Sequence, residues 1–183
     1  TDAQFASLAQ RLIDNGELSN DHATILNGAP ANDVANSMNQ GAWLATYVGH
    51  GSVTQWGRDD VFTLEAVANL NNGTAPPPIV IQLTCLTGLF AHPEQQSIAE
   101  AMLVNSAGPV LQIAATSLTL SSNQEPFATT LIQQLQQAEV KRIGDAFQQA
   151  KVGLDVDNLG AREIVDTFVL IGDPTTKVTR PEI

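Results

Sequence analysis

Apolar residues fall along this chain in two alternating patterns, one at helical spacing and one in short runs almost unbroken by polar residues. Phe5, Leu8, Leu12 and Ile13 share one face of a helix, with Asp2 placed to cap its start and Gly16 just past its end. His22 to Leu26 is a short apolar run closed by Asn27-Gly28, which predicts a strand, and Ala31 to Gln40 carries Val34, Ala35 and Met38 on one helical face. Leu44 to Val48 is rich in strand formers and ends in Gly49-His50-Gly51-Ser52, after which Leu64, Val67 and Leu70 mark a helix. Asn71 to Pro78 is loop by composition, and Ile79 to Leu83 predicts a buried strand that runs into Thr84-Cys85.

The second half repeats the alternation. Ser97 with Glu100 three residues on forms a capping box that opens a helix through Ile98, Ala101, Met102 and Val104, with Gly108 at its close. Pro109 to Ala115 predicts another buried strand. Ser122, Glu125 and Pro126 start a helix through Phe127, Leu131 and Leu135, and Lys141 to Lys151 and Ala161 to Phe168 are helical by period. Phe168 to Ile171 is the last strand, closed by Gly172-Asp173-Pro174. Strands apolar on both faces and separated by helices imply an α/β fold with a mostly parallel sheet covered on both sides. No repeat, low-complexity tract or linker divides the chain, so residues 1–183 read as one domain.

Composition narrows the function. At 183 residues and 43% hydrophobic, the chain can bury one sizeable core without disulfides. The single cysteine, Cys85, rules out an intrachain disulfide, and no Cys/His cluster has zinc-site spacing. Eight Lys+Arg against 19 Asp+Glu give a net charge of −11, with only Lys141 and Arg142 adjacent among the basic residues. Nucleic acid and anionic membrane surfaces, which need clustered positive charge, are therefore poor partners. The longest apolar runs fall far short of the ~20 residues that span a bilayer, which predicts a soluble chain. The sequence begins with Thr1, and its first residues read as an amphipathic helix rather than a signal peptide.

In open α/β sheets the reactive groups collect at the carboxyl ends of the strands. His50 and Cys85 stand at two such ends, 35 residues apart, which is room for one crossover helix between neighbouring parallel strands. An imidazole beside a thiol generates the thiolate nucleophile, so the two side chains are expected within hydrogen-bond reach or slightly beyond it. Gly51 lets the backbone approach a substrate carbonyl and offer its N–H. Taken singly, a cysteine at a strand end is most often a small buried hydrophobe, and Gly-His-Gly is a common turn; it is their conjunction and order that point to catalysis. His22 and His92 read as surface residues. Asp59 and Asp60 read as a solvated turn or as the lining of a pocket for a cation, Asp173 as the fixer of the final turn, and Trp56 as a pocket wall or as packing.

The block Gln40-Gly41-Ala42-Trp43-Leu44-Ala45-Thr46-Tyr47-Val48-Gly49-His50-Gly51-Ser52, followed by Trp56, resembles the histidine block of the gingipain-type cysteine peptidases in the caspase-like clan. Thr84-Cys85-Leu86-Thr87-Gly88-Leu89-Phe90 with Ser97-Ile98-Ala99-Glu100-Ala101-Met102 resembles that family's cysteine block, and Ile171-Gly172-Asp173-Pro174-Thr175 its ending. The resemblance implies a caspase-like fold and a cysteine endopeptidase acting on peptide or protein substrates through an acyl-enzyme. It implies Cys85 as nucleophile, His50 as general base and acid, and the backbone N–H groups of Gly51 and Cys85 as oxyanion donors, with no third carboxylate required. It places part of the specificity pocket at Thr116 to Ser122, where Thr116 and Ser117 are small and polar, and implies a basic residue at the cleavage position and a secreted or cell-surface bacterial protein.

The resemblance calls for no cofactor and no catalytic metal, and leaves a structural calcium ion and the oligomeric state open. The chain departs from the family pattern in having no central strand and acidic loop ahead of its first helix, so it is expected to be a piece of a longer catalytic domain, with a gap or an unpaired edge beside that helix. Two other readings compete: an inactive caspase-fold interaction module, and the related caspase-like domains found next to helical repeats. The Tyr-Val-Gly-His-Gly-Ser block and the Gly-Asp-Pro ending favour the gingipain type.

Overall fold

A computed structural model describes residues 2–16, 18, 23–59 and 61–180. Helix α1 (Asp2–Asn15) and α2 (Ala31–Asn39) precede β1 (Leu44–Val48), a hairpin of β2 (Gln55–Trp56) and β3 (Phe62–Thr63), α3 (Leu64–Ala68) and β4 (Ile79–Leu83). Then come α4 (Ile98–Val104), β5 (Leu111–Ala115), α5 (Ser121–Gln136), α6 (Ile143–Val152), α7 (Leu159–Thr167) and β6 (Phe168–Gly172). The main sheet has the order β1-β4-β5-β6, with β1, β4 and β5 parallel and β6 antiparallel to β5. The strands ending at Val48 and Leu83 are therefore neighbours, in the register Leu44↔Ile79 through Val48↔Leu83.

Every residue of β4 and β5 is buried, as expected of strands covered on both faces. Their side chains alternate between two cores. Ile79, Ile81 and Leu83 pack with Leu111, Ile113 and Ala115 against α1, α5, α6 and α7 through Leu8, Leu12, Phe127, Leu131, Ile143 and Ile164. Val80 faces the other core, with Ala35, Met38, Trp56, Phe62, Ile98 and Met102. Gln82 and Gln112 also point to that second side, and both are fully buried. Burial without partners would be costly, but here a relay satisfies them: Trp56 Nε1 donates to Gln82 Oε1 at 2.8 Å, Gln82 Nε2 to Gln112 Oε1 at 2.7 Å, and Gln112 Nε2 to the Ala99 carbonyl at 2.6 Å.

The capping box at α4 forms as expected, with Ser97 Oγ accepting from Glu100 N and Glu100 Oε2 accepting from Ser97 N. Two expectations change, and one element was not anticipated. Residues 23–26 are not a strand, and His22 lies outside the described residues; a strand exists by pairing, and both sheets are built from other segments. Residues 55–63 form the β2–β3 hairpin, turned at Gly57 with φ +77°, a conformation that favours glycine. Finally, α5 starts at Ser121 with Leu120 as its N-cap, so Ser122 does not cap it and Pro126 lies inside the helix. Glu125 instead reaches Arg11 of α1 in a two-pronged ion pair of 2.6 and 2.9 Å. Among the described residues no helix is long and apolar enough to cross a membrane.

Candidate active site

The parallel pairing of β1 and β4 delivers the His50 and Cys85 segments to the same end of the sheet. The strand register continues one step further, with Gly49 N donating to the Leu83 carbonyl at 3.3 Å. Beyond it the two loops touch. A Cβ built on Gly51 would lie 2.4 Å from Thr84 Oγ1 and 3.1 Å from the Cys85 carbonyl oxygen, so only glycine fits this approach. The start of α4 ties both loops down: Ile98 N donates to the Val53 carbonyl at 2.7 Å, and Ala99 N to the Thr87 carbonyl at 3.2 Å. These are among the first N–H groups of a helix, which have no partner within it and are free to bind other segments.

The backbone at His50 is fixed from two sides. Its carbonyl accepts from Tyr47 Oη at 2.7 Å and from Gly57 N at 2.7 Å. Tyr47 in turn stacks on Trp56, with centroids 4.6 Å apart and planes 6° from parallel. The imidazole itself is exposed, and Phe5 of α1 meets it edge-on with ring centroids 5.1 Å apart. Phe5 is a site contact that helical periodicity marked only as core, since spacing along one helix does not tell which loop that helix meets.

Cys85 is half-buried. Its thiol donates to the Thr119 carbonyl at 3.4 Å, and Thr119 N–H donates to the sulfur at the same distance. Segment 116–120 thus brings both backbone groups of Thr119 onto the sulfur, and among the described residues no hydrogen bond joins the thiol to the His50 imidazole. The next residue, Leu86, holds φ at +65°, a left-handed conformation that costs a non-glycine residue roughly 1–2 kcal/mol. That strain turns the chain sharply after Cys85, letting Leu86 N reach the Ser117 carbonyl at 3.1 Å and Gly88 N the Ala115 carbonyl at 2.9 Å. Neither the Gly51 nor the Cys85 amide donates to an acceptor among the described residues.

The remaining expected residues divide. Thr116 and Ser117 follow β5 beside the Cys85 segment, with Thr116 half-buried and Ser117 exposed. Trp56 is not an open pocket wall: it is 3% exposed, held in the core by Tyr47, Phe62 and Gln82. Its indole N–H needs a buried acceptor, and Gln82 supplies one. His92 closes a turn, its Nδ1 accepting from Glu94 N and Gln95 N. Asp59 is exposed, and Asp60 lies outside the described residues. Asp173 fixes the last turn by accepting from Thr175 N and Oγ1 at 2.8 and 2.7 Å, and those bonds hold its carboxyl below the usual carboxylate range. Among the described residues no group of three or more His, Cys, Asp or Glu is arranged to hold a metal ion.

Comparison with known proteins bears on the family and the fold. Residues 6–179 match the sequence profile of peptidase family C25. The chain belongs to that family. Its fold is similar to that in the complex of Porphyromonas gingivalis RgpB pro- and mature domains, at 23% identity and TM-score 0.73, covering 82% of this chain and 37% of that one. It is also similar to the Arg-specific cysteine proteinase gingipain R (RGPB), at 21% identity and TM-score 0.78, covering 97% of this chain and 43% of that one. A third similar structure, described as a protease, has 18% identity and TM-score 0.75 over 93% of this chain and 44% of its own. The C25 chain thus spans about two fifths of the length of these relatives, 37–44%. At such identities the likeness establishes the fold, a caspase-like mixed sheet flanked by helices. No curated protein matches the sequence.

Proposed function

We propose that this C25 chain is the part of a cysteine endopeptidase that carries its nucleophile and its base. The observation that carries this reading is the contact of the two loops at one end of the sheet, with Gly51 packed against Thr84 and the Cys85 carbonyl. In the proposed reaction the Cys85 sulfur leaves Thr119 and attacks the scissile carbonyl carbon, with its proton passing to His50. The unused N–H groups of Gly51 and Cys85 hold the oxygen that becomes negative. His50 then gives the proton to the leaving amine, which departs as the C–N bond breaks and leaves a thioester on Cys85. Water, deprotonated by His50, opens the thioester and restores the thiol.

Gingipain R is described as Arg-specific. That relative and the net charge of −11, which attracts cations, support a basic residue at the cleavage position. Thr116 and Ser117 are the proposed pocket residues, and family membership supports a secreted or cell-surface location.

The test is cleavage of labelled casein by the wild type and by Cys85→Ala, His50→Ala and the double variant, with a positional peptide library for specificity. Each single change should abolish turnover without unfolding the chain, and the double should cost little more, because members of a catalytic unit are not additive. Full activity in Cys85→Ala would end the proposal. A library preference for acidic or large apolar residues would end the basic specificity alone.

A further inference from the structure

The sulfur's two partners lie on a segment whose large apolar side chains stand outside the core. Leu118 and Leu120, on either side of Thr119, are 69% and 63% exposed. What ties residues 116–120 to the rest of the chain is hydrogen bonding, shared between α7 and the Cys85-Leu86 segment, where Leu86 N–H donates to the Ser117 carbonyl. Thr116 donates from both its N–H and its Oγ1 to the Thr167 carbonyl, at 2.9 and 3.0 Å. At the other end of the segment Leu120 N–H donates to Glu163 Oε1 at 3.1 Å. Thr167 Oγ1 in turn donates to the Glu163 carbonyl at 2.7 Å, so both anchors sit on one turn of one helix. Between them Thr119 presents its N–H and its carbonyl to Cys85 Sγ.

The Glu163 contact stands out chemically. Leu120 is the N-cap of α5 and offers no side-chain cap of its own, so the amide that leads into the helix is taken by a carboxylate from another helix. A hydrogen bond to an ionised acceptor is about twice as strong as a neutral one. It is also directional, so it sets the Leu120 peptide plane, and through it the Thr119 groups that meet the sulfur.

We propose that Glu163 is a positioning residue for the Cys85 nucleophile, acting through Leu120 and Thr119. The inference rests on Cys85 being the nucleophile. With the clamp in place, the sulfur's lone pair and its S–H are both engaged by Thr119, and the thiol waits in one orientation beside the pocket segment. Without it, residues 118–120 swing, the sulfur is uncovered, and it spends less time poised for attack.

Cys85 is the only cysteine in the sequence, so alkylation by iodoacetamide reads this one sulfur and needs no knowledge of the substrate. The experiment compares the wild-type chain with Glu163→Ala, Glu163→Gln and Asn158→Ala for alkylation rate, melting temperature, and kcat and KM on labelled casein. Asn158 caps α7 through Gly160 N and Ala161 N, so its loss weakens the helix without touching the clamp. Glu163→Ala should alkylate about 3- to 10-fold faster, the range for loss of one solvent-exposed hydrogen bond, and lower kcat with KM little changed. Glu163→Gln keeps a neutral and weaker acceptor for Leu120 N–H and should fall between wild type and Glu163→Ala. Asn158→Ala should melt lower yet alkylate at the wild-type rate. The proposal is overturned if Glu163→Ala alkylates like wild type, if Glu163→Gln matches Glu163→Ala, or if Asn158→Ala accelerates alkylation as much. A wild-type chain that alkylates as described but cleaves nothing would count against the peptidase reading and not against the clamp.

Discussion

Replacing Gly51 by alanine should separate the two halves of the site while leaving every polar group in place. Gly51 does not adopt a positive φ, so alanine carries no backbone penalty there and the effect is one of space. The new methyl would lie 2.4 Å from Thr84 Oγ1, 3.0 Å from Thr84 Cγ2 and 3.1 Å from the Cys85 carbonyl oxygen. Ordinary contact needs about 3.5 Å, so the loops must part by roughly 1 Å. Thr84 is 1% exposed and cannot swing aside into solvent. Overpacking of this kind costs about 1–3 kcal/mol of stability. A displacement of ~1 Å between reacting groups costs on the order of a hundredfold in rate. Turnover of labelled casein should therefore fall far more than the melting temperature.

The cause can be checked by removing the obstacle. Thr84 Oγ1 is buried without a hydrogen-bond partner, so Thr84→Ala leaves no group newly unpaired. It removes the 2.4 and 3.0 Å contacts, so that the tightest known one left is the 3.1 Å approach to the Cys85 carbonyl, which a shift of a few tenths of an ångström relieves. Gly51→Ala combined with Thr84→Ala should accordingly recover most of the lost turnover, a strong coupling in a double-mutant cycle. Wild-type turnover in Gly51→Ala, or a double variant no better than the single one, would show that the loops do not meet as described.

Two further outcomes follow from contacts away from the nucleophile. The hydrogen bonds and charge of Arg11 hold the Glu125 carboxyl below the usual carboxylate range, so its folded pKa lies under its unfolded one and its contribution is present above that range and lost as pH falls through the folded value. Wild type should melt above Glu125→Gln at neutral pH, with the gap closing in acid; a gap that does not change with pH would refute the pairing of α1 with α5. Gln112→Leu should leave Gln82 Nε2 buried without its acceptor and cost about 1–3 kcal/mol by denaturant unfolding, whereas a neutral result would mean that the relay from Trp56 to Ala99 is not intact.

Much of this site could be read from the chain because it rests on local rules. The β1 and β4 runs are apolar apart from Thr46 and Gln82, and one crossover separates them, so their parallel pairing followed and brought the His50 and Cys85 segments to one end of the sheet. The Ser97 capping box marked the start of α4 for the same reason, since Ser97 and Glu100 satisfy each other within one turn. What stayed hidden depends on contacts distant in sequence. Trp56 looks the same whether it walls a pocket or meets a buried amide, and only the position of Gln82 across the sheet decides between them. The two-residue strands of the β2–β3 hairpin are too short to show a period. Thr119 and Glu163 lie 34 and 78 residues from Cys85 and carry no motif; nothing in their neighbourhood signals that one holds the sulfur and the other its holder.

The departures from ordinary packing in the described chain gather where those hidden contacts converge. Its buried side-chain oxygens without a partner belong to Thr84, Thr87, Thr119 and Gln124. Two of them flank Cys85, one supplies the backbone groups at its sulfur, and the fourth lies in the first turns of α5, just beyond the same segment. Leu86, the one non-glycine residue at positive φ among the described residues, is the immediate neighbour of Cys85. Each unpaired buried oxygen costs about 1–3 kcal/mol, and the left-handed leucine adds a similar amount. Unplaced costs of this kind would be expected anywhere in a chain that packed poorly throughout, yet β4 and β5 are fully buried and their glutamines fully paired. Most of these costs fall on the segments around Cys85, the residue proposed as nucleophile, and not on the sheet that carries it.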